Sequence, residues 1–245
     1  MSTGWLGREL VALSSTTSTN DEALARARAG AAPGLVVIAE EQERGRGRLG
    51  RRWHSPGGHL YLSALVPPPA LPAQAPTLTL AAAVAVVDAV NSLGCAASIK
   101  WPNDVLVLGK KVAGILTESS TRAGKIEAVV IGIGVNLNGD PPAELAAIAT
   151  SASQVLGHPV DRAAFTADLL DRLEGWLDRH CAEGPRPIVE AWKRRALSFG
   201  RAVEVRIDGV PVVGLAQDLD EDGALVVARD DGSLVRVISG EVTLV

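Results

Sequence analysis

A charged segment rich in arginine and glycine restricts the fold of this chain more than any other stretch. Residues 35–39 read as a short buried strand, and Glu40-Glu41-Gln42-Glu43-Arg44-Gly45-Arg46-Gly47-Arg48-Leu49-Gly50-Arg51-Arg52-Trp53-His54 comes directly after it. Gly45-x-Gly47-x-x-Gly50 satisfies the letter of the dinucleotide fingerprint. That fingerprint, however, must open a helix at its end and be followed by an acidic residue about 20 residues on. Ser55-Pro56-Gly57-Gly58 cannot begin a helix at Gly50, and no acidic residue lies between Glu43 and Asp88. A doubly wound dinucleotide fold is therefore rejected. Two other readings of the segment are a solvated basic loop and an RNA-contacting Arg/Gly arm. The favoured reading is a ligand-enclosing loop. Glycine lets backbone approach a ligand and move when the site is empty, and arginine presents permanently charged planar forks to carboxylate and phosphate. A loop that orders around an anion, such as a carboxylate becoming an acyl phosphate, is built in this way.

The rest of the chain bounds the alternatives. At 245 residues and 47% hydrophobic content it can bury a core without disulfide or metal staples. With five Trp, two Phe and one Tyr, that core must be made of Ala, Val, Leu and Ile. A net charge of −4 argues against a general nucleic-acid binder and, with few aromatics to stack on, against the RNA arm. Cys95 and Cys181 are far apart and belong to no metal-ligand cluster, so no protein metal site is expected and both read as free thiols of a reducing, cytoplasmic setting. No basic-then-apolar leader opens the sequence. The longest apolar stretch, residues 78–90, is interrupted by Thr79 and Asp88, is too short for a bilayer, and reads as a buried helix.

Along the chain, residues 9–13 are a first strand. A polar turn, Ser14 to Asn20, then leads into a helix with Asp21 and Glu22 in its first turn and Gly30 as its stop. Residues 60–66 form a buried strand closed by three prolines, and a helix follows over about 75–93. Strands are expected at 98–101, 112–118 and 126–135, with helical spacing at 162–180 and 187–195. From about Ser198 the texture changes to alternation at Val203, Val205 and Ile207, with turn pairs at Asp208-Gly209, Asp222-Gly223 and Asp231-Gly232. The expected organisation is a mixed α/β (α+β) domain over residues 1–196 and a small five-stranded β-barrel domain over 197–245.

Two more clusters carry chemistry. In Lys100-Trp101-Pro102-Asn103-Asp104, Pro102 ends a strand and Asn103-Asp104 are turn formers. In Lys110-Lys111-Val112-Ala113-Gly114-Ile115-Leu116, Lys111 heads an apolar run, so its ammonium emerges beside the core, where it can neutralise phosphate. Gly109-Lys110 is not a P-loop, because there is no glycine five residues earlier and no Ser or Thr after Lys110. Gly132-Ile133-Gly134-Val135-Asn136-Leu137-Asn138 places glycine inside a strand, a mark of close approach by a ligand or another backbone.

Together, Gly45-Arg46-Gly47-Arg48-x-Gly50-Arg51-x-Trp53, KWPND…KxAGIL and the third cluster resemble the biotin protein ligases, from about Ser14 to the C-terminus. The resemblance implies a biotin/lipoate ligase-like catalytic domain with an SH3-like C-terminal β-barrel. It implies activation of biotin by Mg²⁺ and ATP to biotinyl-5′-AMP, then transfer to a lysine of a biotin carboxyl carrier protein domain, by a monomer or weak homodimer.

It also implies that Ser18, Thr19, Asn20 and Gln42 bind the biotin ring system, that Gly45, Arg46, Gly47 and Arg48 close over the valerate and adenylate, and that Gly114 and Gly134 lie on the biotin side. Arg51, Trp53, Asn103 and Asn136 fall on the nucleotide side with Arg48. Lys111 bridges carboxylate and α-phosphate, and Asp104 orients or deprotonates the acceptor lysine. Arg44, where the family usually has a small residue, and His59, where Asn is common, depart from the pattern. Only eight residues precede the first strand, which implies a ligase without the DNA-binding domain that makes some relatives repressors. A lipoate–protein ligase or octanoyl transferase is the neighbouring alternative.

Overall fold

The computed structural model describes residues 3–69, 71–207 and 210–244; the turn pair Asp208-Gly209 lies outside them. Seven strands, β1 (Glu9–Thr16), β2 (Leu35–Gln42), β3 (Leu60–Val66), β4 (Ala97–Lys100), β5 (Asp104–Val107), β6 (Lys110–Arg122) and β7 (Lys125–Val135), form one sheet in the order β1-β2-β3-β7-β6-β5-β4. Only β1 and β2 run parallel; the other neighbours are antiparallel.

Period-two alternation gives the sheet two different faces. Val36, Leu60, Leu62, Ala64, Ile115, Ile131 and Ile133 point to the larger core, where α2 (Ala75–Ser92), α4 (Arg162–Glu183) and α5 (Arg186–Lys193) cover them. Helix α2 is apolar on every side, as a helix enclosed by protein must be, and its alanines allow close approach. It is long and apolar enough to cross a bilayer, yet 67% of it is buried within the fold.

The opposite face carries Tyr61, Ser63, Leu65, Gly114, Leu116, Gly132, Gly134 and Val130. Helix α1 (Thr19–Arg28) packs Ala23 and Leu24 against only one end of it, over Val37, Leu65 and Val130. Ten residues of helix cannot cover seven strands, and the functional cleft lies on what α1 leaves open. The short helix α3 (Ala152–Leu156) is capped by Ser151 and Gln154 in a reciprocal pair.

One strand lies between those expected at 98–101 and 112–118. Asn103-Asp104 is not only a turn: Asp104 starts β5, a four-residue strand, and β6 begins at Lys110. The chain then crosses to a five-stranded antiparallel sheet of β8 (Ala202–Ile207), β9 (Val210–Leu219), β10 (Leu225–Ala228), β11 (Leu234–Val237) and β12 (Val242–Leu244), in the order β11-β10-β9-β8-β12. Among the described residues the outer strands β11 and β12 do not pair with each other. This sheet docks on the catalytic core through Trp101 Nε1, which donates to the Gly223 carbonyl at 3.1 Å, and through Lys193 to Asp218 at 2.5 Å.

Candidate active site

The floor of the cleft is a consequence of strand register. Gly114 pairs with Gly134 and Leu116 with Gly132, so three glycines lie together on one face of two central strands. Without side chains there, the sheet has a trough, and other groups fill it. A Cβ on Gly134 would lie 2.6 Å from Cε2 and Nε1 of Trp53, and one on Gly132 would lie 2.9 Å from Cγ of Asn20.

A β-bulge aims Lys111 into the cleft. Val105 pairs with Ala113 but Leu106 pairs with Lys111, so Val112 is skipped. Val112 and Ala113 both enter the core, while Lys111 and Gly114 share the cleft side. Lys111 Nζ stands 2.6 Å from Asp104 Oδ1 and 5.1 Å from the centre of the Trp53 ring. Asn103 is held from below, its Nδ2 donating to the Ile115 carbonyl at 2.7 Å, which leaves Oδ1 toward Arg48 Nη1 at 3.4 Å.

At the other end of the trough is a polar network. Gln42 Oε1 accepts from the backbone N–H of Thr19 at 2.9 Å and from its hydroxyl at 3.1 Å, while Gln42 Nε2 donates to Ser55 Oγ at 3.1 Å. Asn20 Nδ2 donates to Glu118 Oε2 at 2.6 Å and to the Leu116 carbonyl at 3.2 Å, which fixes its Oδ1 toward Ser63 Oγ, 2.6 Å away. Ser63 Oγ also lies 2.7 Å from Thr19 Oγ1. Three oxygen–oxygen contacts thus share two hydroxyl hydrogens: the network is short of a donor.

The arginine loop is folded back on itself as a narrow hairpin. Arg46 and Arg52 bridge, Gly47 N–H donates to the Arg51 carbonyl at 2.7 Å, and Trp53 N–H to that of Gly45 at 2.8 Å. Its arginines have separate tasks. Arg46 pairs with Asp21 of α1 at 2.5 Å and with Glu118 of β6 at 2.9 Å, which raises its own pKa and lowers that of Asp21. Burial pushes the Arg48 guanidinium below the usual arginine value, and an anion beside it would favour its charged form.

The cleft is lined by Ser18, Thr19, Asn20, Gln42, Arg46, Gly47, Arg48, Arg51, Trp53, Asn103, Asp104, Lys111, Gly114 and Gly134, and its empty volume is about 940 Å³ counting the part open to solvent. Two sequence candidates lie outside that lining. Gly45 supports the loop from behind, where a Cβ would meet the Trp53 carbonyl at 2.6 Å. Asn136 Nδ2 donates to the Thr150 carbonyl at 3.1 Å, and its backbone carbonyl takes the Ala152 N–H at the start of α3.

Lys100, Trp101 and Gly132, which belong to the sequence clusters without a role assigned to them, also line the cleft, as do Tyr61, Gly240 and Glu241, which the sequence did not single out. Period-two alternation along β3 and β7 carried a signal for Tyr61, Ser63 and Gly132. Nothing local signalled Gly240 and Glu241, which come from the C-terminal sheet. Arg44 is exposed and His59 is buried, and neither lines the cleft. Among the described residues no group of three or more His, Cys, Asp or Glu could hold a metal.

With this geometry in view, the similarities are specific. Residues 12–136 match the model of the biotin/lipoate A/B protein ligase family, and residues 198–245 that of the biotin protein ligase C terminal domain. The biotin--[acetyl-CoA-carboxylase] ligase of Paracoccus denitrificans is 38% identical over 91% of this chain and 95% of its own length. The bifunctional ligase/repressor BirA of Bacillus subtilis is 36% identical over 98% of this chain and 75% of its own. In structure, the biotin protein ligase of Aquifex aeolicus in complex with biotin and ATP superposes with a TM-score of 0.85, at 28% identity over 97% of this chain and 99% of that one. The overall fold is thus shared with a solved biotin protein ligase, and the chain belongs to the biotin/lipoate A/B protein ligase family.

Proposed function

We propose that this chain activates biotin with ATP as biotinyl-5′-AMP and transfers the biotinyl group to a lysine of a biotin carboxyl carrier protein domain, in the cytoplasm. The observation that carries the proposal is the polarity gradient along one cleft: a donor-deficient network at one end and a cluster of cations at the other. The Thr19–Asn20–Gln42–Ser63 network wants a hydrogen, which a cyclic urea N–H supplies. Arg48 and Lys100, with Lys111 beside Asp104, attract anions, which a carboxylate and a triphosphate supply.

In the first step the biotin carboxylate oxygen attacks the α-phosphorus of ATP, a P–O bond to pyrophosphate breaks, and an acyl phosphate forms. Lys111, held beside Asp104, bridges the carboxylate and α-phosphate oxygens as charge builds on them. Arg46, Gly47 and Arg48 keep the mixed anhydride covered, while Arg51, Trp53 and Asn103 face the nucleotide. Mg²⁺ enters as part of the nucleotide substrate and offsets the triphosphate charge, in keeping with its habit of holding few protein ligands and several waters. In the second step the acceptor amine attacks the acyl carbon, AMP leaves, and Asp104 orients or takes the proton of that amine. Positioning and charge do the catalysis, with no covalent intermediate on the protein.

The family also includes lipoate ligases, but the C-terminal domain match over residues 198–245 is to biotin protein ligases and supports biotin. The oligomer we propose is a monomer or weak homodimer. Biotin-dependent exchange of labelled pyrophosphate into ATP tests the first step: exchange with biotin and none with lipoate is expected, and the reverse overturns the reading.

A further inference from the structure

Two arginines of the hairpin are tied to a different domain. The Arg51 fork binds both carboxylate oxygens of Glu241, Nη1 to Oε1 at 2.8 Å. Next to it, Arg48 Nη1 donates to the Gly240 carbonyl at 3.3 Å. These two partners precede β12, whose Val242 is fully buried and pairs with Val205 of β8. Gly240 itself is wedged against β8, where a Cβ would lie 2.8 Å from Val205 Cγ1 and 2.9 Å from the Arg206 carbonyl. On the loop side, the Arg51 N–H donates to the Arg48 carbonyl at 3.2 Å, so the two arginines move as one turn. A fixed point on the small sheet therefore grips the hairpin at its tip, across the open side of the cleft.

The grip is bidentate and spans two units of the chain 190 residues apart in sequence. Apart from it, the turn from Arg48 to Arg51 is held by its own backbone bonds and by the Arg48 contact with Asn103 Oδ1 at 3.4 Å, and its tip residue Leu49 is 73% exposed. Glu241 also lines the cleft alongside Lys100 and Lys111, so it contributes negative charge where the cations gather.

We propose that Glu241 is a positioning residue: from the C-terminal domain it tethers the Arg/Gly hairpin over the cleft, and so limits escape of the activated acyl intermediate. The second half rests on the function proposed above; the first half does not.

Hydrogen exchange of the full chain without ligand tests the grip. Glu241→Gln and Arg51→Gln, which attack it from opposite ends, are each expected to speed backbone exchange over residues 45–53 by about 2- to 5-fold, the range for a partly exposed ion pair. The charge-reversed pair Arg51→Glu with Glu241→Arg is expected to bring exchange back toward wild type, which a merely structural effect of either substitution would not do. Given biotin and Mg·ATP without acceptor, Glu241→Gln should release biotinyl-AMP faster by a similar factor while the KM for biotin holds.

Unchanged exchange over residues 45–53 in both single variants overturns the proposal, as does a reversed pair that behaves like the sum of its singles. Faster exchange throughout β8 and β12 in Glu241→Gln would mean that the small sheet has loosened, and Arg51→Gln then decides. A protein that shows the exchange effect but makes no adenylate keeps the grip and refutes the function.

Discussion

Gly132→Ala probes the link between strand register and ligand recognition. The added Cβ would lie 2.9 Å from both Cγ and Nδ2 of Asn20 and nearer still to Oδ1. An ordinary contact would need at least about half an ångström more. Asn20 is not a loose side chain that can step aside, since it is 4% exposed and its amide is held by Glu118, the Leu116 carbonyl and Ser63. Moving it forfeits these bonds, at about 1 kcal/mol each, for a total of about 3 kcal/mol.

Part of that total falls on stability, at about 2–4 °C of Tm per kcal/mol for a chain of this size. The rest falls on the network proposed to bind the ring system of biotin, where every 1.4 kcal/mol is tenfold in affinity. The expected result is a KM for biotin raised by about 10- to 100-fold, a KM for ATP within about twofold of wild type, and a Tm lowered by a few degrees. Pyrophosphate exchange at varied biotin and a thermal melt measure all three. A KM for biotin unchanged in a folded variant would refute the reasoning, because Asn20 would then have moved without consequence for the ligand.

Other perturbations address the remaining parts of the site. Lys111→Ala should lower the rate of adenylate formation by about 10²–10³-fold, the usual scale for one preorganised charge stabiliser; near wild-type single-turnover rates would remove Lys111 from the chemistry. Arg48→Gly should let biotinyl-AMP escape into solvent, read as free adenylate in the absence of acceptor, and equal retention in variant and wild type would count against a covering role.

Away from the site, Glu174 accepts N–H groups from Gly4, Trp5 and Leu6, pinning the N-terminal segment to α4. Burial raises its carboxyl, but the bonds from Leu6, Trp5 and Gly4 outweigh that and leave the pKa below its ordinary 4.5. Its contribution is therefore present above about pH 4.5 and lost as pH falls through the lower folded value. The Tm advantage of wild type over Glu174→Gln should accordingly shrink between about pH 6 and pH 3, and an advantage independent of pH would contradict this.

Much of the site could be read from the sequence because the chemistry is concentrated in short stretches. Arg46, Arg48 and Trp53 sit in one hairpin, Asn103, Asp104 and Lys111 in one strand pair, and all six line one cleft. The apolar run of α2 likewise announced its own burial. What was not legible depends on pairing between distant segments. The skipped Val112 that turns Lys111 into the cleft exists only in the register of β5 against β6. The trough exists only because Gly114 is opposite Gly134. Asn136 is placed on the nucleotide side by the family resemblance alone, and the bonds of its amide and backbone to Val112, Thr150 and Ala152 come from segments distant in sequence. Glu241 reads as one more charge in a polar turn until the small sheet brings it to Arg51.

The central claim is transfer of biotin to protein, and one experiment addresses it directly. The purified chain is incubated with labelled biotin, Mg·ATP and a biotin carboxyl carrier protein domain, and the acceptor is digested to locate the label. The geometry predicts label on a single lysine of the acceptor, with AMP and pyrophosphate formed one for one and no label when ATP is withheld. Label retained on the ligase itself, or an acceptor left unlabelled while ATP and biotin are consumed, would contradict the assignment.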